Sequence, residues 1–156
     1  MEGKNTLLFK PNTCIIEIPV YRYIPKFFLR HCRKDEDTIF LSRRTILTVN
    51  SSLRLPAELY TTERKNKVMQ KVKIYYPDNE FVRAGVVRLL YDRFWDTIYS
   101  HCHMIDTLGL PVVPHLKVLL QKHFQVHEEI LKIETARRKW ARWKEKLDQG
   151  NPSVYT

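Results

Sequence analysis

The chain has 156 residues, 27 Lys and Arg against 17 Asp and Glu, and a formal charge of +10; 44% of its residues are apolar and 12% aromatic. The length suits one domain, the apolar share is too high for a disordered basic tail, and the charged residues leave no apolar run long enough for a spanning helix. The three cysteines, Cys14, Cys32 and Cys102, are odd in number and far apart, which fits a reducing compartment rather than a disulfide framework. No two glycines are adjacent, so no GxGxxG or Walker-type loop is present and nucleotide-driven chemistry is not expected.

Charge is distributed unevenly. Residues 1–40 carry +2, 41–76 carry +6, 77–114 carry −2 and 115–156 carry +4. Two basic blocks around a mildly acidic, apolar-rich middle point to polyanion contact on two surfaces, with nucleic acid as the first candidate. A solvated helix face is the plainer account of the same runs.

The N-terminus, MEGKNTLLFKPN, has an early Glu2 and no small-residue cleavage site, which argues against a secretory signal. It is also not the Arg- and Ser-rich, acid-poor leader of a cleavable mitochondrial presequence. Residues 13–30 are rich in β-branched and aromatic side chains but are interrupted by Pro19 and Pro25, which reads as an edge strand or an extended arm. Asp37 or Thr38 then caps an expected helix through IFLSRRTILTV to Val49, ended by Asn50, Ser51 and Ser52. Pro56 is placed for a first helical turn, and the basic stretch from Arg64 to Lys73 follows; a short strand at 71–76 and a helix both remain open there.

The clearest element begins at Asp78, which caps a helix running to Leu108. Val82, Val86, Leu90, Phe94, Ile98, Cys102 and Ile105 recur at spacings of four and three, so they share one face. Gly109 is its expected stop. Pro114 opens a second long helix, with Leu116, Leu119, Leu120, His123, His127, Ile130 and Leu131 on its apolar face and Gly150 at its end. The expected fold is mainly α: a long antiparallel helical hairpin over 78–150, an extended arm and short helix over 1–50, a basic segment over 51–77 and a tail over 151–156.

The strongest partner-binding feature is ARRKWARWKEKL at 136–147, where Arg137, Arg138, Lys139, Arg142, Lys144 and Lys146 place six cations in ten residues around Trp140 and Trp143. Lys and Arg bind phosphates by releasing counterions, and Trp offers a face to an unpaired base or packs into the fold. The two tryptophans lie one turn apart and share a face. The candidate RNA-binding set is Arg43, Arg44, Arg64, Lys65, Lys67, Lys71, Lys73, Arg137, Arg138, Lys139, Arg142 and Lys144. A membrane-surface or partner-helix role is the other use of such a helix.

His123 and His127 have a spacing at which two imidazoles reach one ion, and His101, Cys102 and His103 lie on the preceding helix. No CxxC is present and HFQVH lacks the acid of HExxH, so no metal or other cofactor is expected. Cysteines and histidines occur in no order that pairs a nucleophile with a base, and Asp92, Asp96 and Asp106 sit among arginines that can pair with them. The chain is not expected to be an enzyme.

Two stretches resemble the mitochondrial small-subunit ribosomal protein family numbered thirty-three. One is SSLRLPAELYTTERKNKVMQKVK at 51–73, similar to that family's opening helix and the basic stretch after it. The other is Leu108, Gly109, Leu110, four residues and His115, similar to its Leu-Gly-Leu turn ahead of a helix. A fainter similarity, to the family numbered twenty-three, lies around IYYPDNEFVR. The resemblance implies a non-catalytic ribosomal subunit in the mitochondrial matrix, bound to ribosomal RNA and neighbouring proteins. The other expectation is an accessory or assembly subunit of another large mitochondrial complex.

Overall fold

A computed structural model describes residues 13–47 and 66–150, and these divide into two compact units. The first takes in residues 13–21, 32–47 and 66–89, and the second 22–31 and 90–150. Among the described residues there are four helices and three strands, so the fold is not the expected hairpin with an arm.

The first unit is built on a mixed sheet. β1 (Cys14–Tyr21) is antiparallel to β3 (Lys67–Ile74), β2 (Thr38–Phe40) is parallel to β3, and the order is β1-β3-β2. Of the edge strand or arm expected over 13–30, residues 14–21 form the edge strand β1, but residues 23–28 are helical. An edge strand has neighbour carbonyls on one side only, which lets it carry Pro19 where a central strand would lose a ladder bond. The open choice at 71–76 resolves to strand, beginning earlier, at Lys67. Val72 and Ile74 alternate with Lys71 and Lys73, and the first pair is buried with Ile16, Ile18, Val20 and Ile39.

The expected helix from Asp37 to Val49 is instead β2 followed by a turn, as far as its residues are described. Thr38, Ile39 and Phe40 are β-branched or aromatic, and pairing with β3 outweighs weak local helix preference. Gln70, which looks like a break in the strand pattern, is buried and holds β2 in place. Its Nε2 donates to the carbonyl of Asp37 at 2.6 Å and to that of Lys71 at 2.8 Å.

The second unit is helical. α1 (Tyr23–Phe28) carries Pro25 in its first turn, where the missing N–H has no intrahelical partner to lose. α2 (Glu80–Thr107) begins in the first unit and continues in the second. All seven residues of its expected apolar face are buried. Asn79 Oδ1 accepts from the Val82 N–H at 2.9 Å, so the cap is Asn79 rather than Asp78, whose carboxylate instead pairs with Arg83 at 2.7 Å. Gly109, at φ +74°, ends the helix: its N–H donates to Asp106 O at 3.0 Å and the Leu110 N–H to Ile105 O at 3.1 Å, a Schellman closure.

The expected second long helix is two. α3 (Val112–Val118) runs into a π-helical turn at Leu119–His123, and α4 (Ile133–Asp148) restarts after a break. Phe124 and Val126 are both buried, a spacing of two that no helix face supplies, and Gln125 between them is at φ +55°. His123 and His127 are exposed rather than part of an apolar face. The core of this unit is aromatic. Phe27 meets Phe94 edge-on at 5.3 Å and Phe124 at 4.8 Å, and Trp95 Nε1 donates to Tyr23 Oη at 3.1 Å.

Candidate nucleic-acid interface

The sheet of the first unit has one buried face and one outward face. Strand alternation sends Ile15 and Glu17 of β1, Met69 and Lys71 of β3, and Phe40 of β2 outward, all of them exposed. Register decides their neighbours: Tyr21 lies opposite Lys67, Glu17 opposite Lys71, and Phe40 opposite Lys73.

The cations of this sheet differ in what they meet. Lys71 is paired with Asp37 at 3.6 Å and has Glu17 opposite it on β1. Asp37 is held below the usual carboxylate range first by the Thr38 hydroxyl and then by Lys71. Lys67, Lys73 and Arg43 lie over aromatic rings: Lys67 at 5.0 Å from the Tyr21 centroid, Lys73 at 5.8 Å from Phe40, and Arg43 at 5.3 Å from Tyr75. A ring attracts a cation through its quadrupole and does not cancel its charge, as a carboxylate does. Arg44 is exposed beside Arg43. Arg64 and Lys65 lie outside the described residues.

The basic helix is spent differently. Arg137 and Arg138 share one carboxylate, Glu134, at 2.6 and 3.3 Å. That hydrogen bonding, from Arg137 first, pulls Glu134 down to about 2. Lys144 pairs with Asp106 at 2.8 Å and lies over Trp140. Lys139 donates to Tyr91 Oη at 2.8 Å and sits 4.9 Å from the Trp95 centroid. Trp140 is buried and Trp143 stacks on Tyr99 at 5.6 Å, so both tryptophans pack into the fold. Arg142 and Lys146 lie on the outer part of the same helix.

The sequence therefore pointed to Lys67, Lys73 and Arg43 but missed their aromatic partners Tyr21, Phe40 and Tyr75. The available signal was the alternation Lys67, Met69, Lys71, Lys73, which marks one face of a strand. Among the described residues no group of three His, Cys, Asp or Glu could hold a metal ion, and no helix is long and apolar enough to cross a membrane. The comparisons with family models, curated proteins and solved structures found no match to this chain.

Proposed function

We propose that this chain is a non-catalytic RNA-contacting subunit of a ribonucleoprotein particle, the small ribosomal subunit of the mitochondrion, and that the outward sheet face of its first unit meets the RNA. The carrying observation is the pair Lys73 and Arg43, each over an aromatic ring and neither with a carboxylate partner among the described residues. Their charge stays available to phosphates, whereas Lys144 is paired with Asp106, and Arg137 and Arg138 share the one carboxylate of Glu134. The particle and organelle rest on the resemblance at 51–73 and 108–115.

Sedimentation of the tagged full chain, with and without ribonuclease, tests this. Co-migration with a ribosomal particle that disappears on ribonuclease treatment supports it, and migration away from every RNA-containing particle overturns it. A second reading, an accessory or assembly subunit of another large mitochondrial complex, draws on the exposed Leu108, Leu110 and Val113 around the α2–α3 turn. It expects a particle unaffected by ribonuclease.

A further inference from the structure

Phe40 is an exposed aromatic on the outward face of the sheet. It is 67% exposed on a three-residue strand whose other members are covered more fully. Its place is nevertheless fixed. The Leu41 N–H donates to the carbonyl of Lys73 at 3.0 Å, and Tyr76 Oη donates to the carbonyl of Thr45 at 2.7 Å. The segment carrying Phe40 and Arg43 is thereby tied at both ends to β3 and the residues just after it.

This end of the sheet holds two cation–ring couples close in sequence and register. Lys73 pairs with Phe40 across the parallel ladder, Tyr75 lies two residues beyond Lys73, and Arg43 lies three beyond Phe40 with its guanidinium over Tyr75. Glu17 lies opposite Lys71, and Asp37, just before β2, pairs with that same lysine.

Resting on the RNA-contact reading above, we propose that Phe40 and Tyr75, each with a cation (Lys73, Arg43) over one ring face, offer their other faces as a stacking site for unpaired bases of an RNA strand. A ring on a sheet surface reaches the face of a base only when that base is free of a duplex, whose bases already cover one another. The cations answer the phosphates that flank such a base, and an aromatic held by the ladder loses little freedom on binding. The site takes a single strand, not a helix.

Fluorescence anisotropy with the full chain tests this on three labelled probes of about 12 nucleotides, a length within the usual single-strand site range. They are an oligoadenylate, an abasic strand of equal charge, and an RNA duplex. Oligoadenylate is expected to bind about tenfold more tightly than the abasic strand, the size of one good stacking contact. Phe40→Ala and Tyr75→Leu are each expected to shrink that difference, and Phe40→Trp to keep it. Tyr75→Leu is read in parallel, so that a folding defect in one variant does not decide the matter. Equal binding of oligoadenylate and abasic strand, or a duplex preferred over both, overturns the stacking site while leaving charge-based RNA contact intact. Failure of all three probes to bind at low salt overturns both.

Discussion

Lys139 donates a 2.8 Å hydrogen bond from its ammonium to the hydroxyl of Tyr91, one helix to another within the second unit, with the same ammonium over the Trp95 ring. The most basic stretch of the chain thus works partly as a fastening for α4. Lys139→Met is expected to cost about 1–2 kcal/mol of stability, from a charge-assisted hydrogen bond and a cation–ring contact, in urea unfolding. The same variant should leave the salt dependence of RNA binding unchanged, because a residue that meets no phosphate adds nothing to that slope.

The Glu134 carboxylate provides a pH test. Its hydrogen bond from Arg137, then the further pull of Arg137 and Arg138, lower it from an ordinary 4.5 to about 2. A depressed carboxylate contributes stability that is fully present above its unfolded value and is lost as pH falls through the folded one. The contribution of this pair is therefore complete above about 4.5 and disappears toward 2. Carbon-detected NMR titration should give a Glu134 midpoint near 2 that rises toward the ordinary value in Arg137→Gln; an ordinary midpoint in the unaltered chain would contradict the pairing.

The thiols should separate by access. Cys102 is 1% exposed and burial pushes it up to about 12, whereas Cys32 is exposed. A thiolate is the reactive form, so a disulfide reagent at pH 8 should modify Cys32 in the folded chain and reach Cys102 only on unfolding. Peptide mapping after brief labelling distinguishes the two.

Phe94 is fully buried and touches the rings of Tyr23, Phe27, Trp95 and Phe124. Phe94→Ala should destabilise the second unit by about 3–5 kcal/mol, the transfer term plus an unfilled cavity. Urea unfolding followed by tryptophan fluorescence, which Trp95 reports from within the cluster, measures it.

The parts of this fold that were legible in the sequence are those set by local periodicity. The seven-residue face of α2 and the Gly109 stop depend on helix geometry and a left-handed backbone that glycine adopts freely, and both stand. Pairing between distant segments was not legible. Thr38 to Phe40 becomes strand only because β3, some thirty residues away, offers a parallel edge and Gln70 reaches the Asp37 carbonyl. Proline misled at Pro25, which sits in the first turn where it breaks nothing. The long second helix failed where Phe124 and Val126 had to be buried two apart. At the candidate interface, cations were visible as composition, but what each one faces, a ring or a carboxylate, depends on strand register and helix packing.

The salt dependence of RNA binding tests the central claim most directly. The affinity of the full chain for a single-stranded RNA should fall with rising KCl, and Lys73→Gln with Arg43→Gln should flatten the log–log slope by about 1.4, since each phosphate that is no longer neutralised takes about 0.7 from it. Arg137→Gln with Arg138→Gln should leave it nearly as steep. A slope that the sheet pair does not change, or one that collapses with the Arg137 and Arg138 pair alone, would contradict binding through the sheet face.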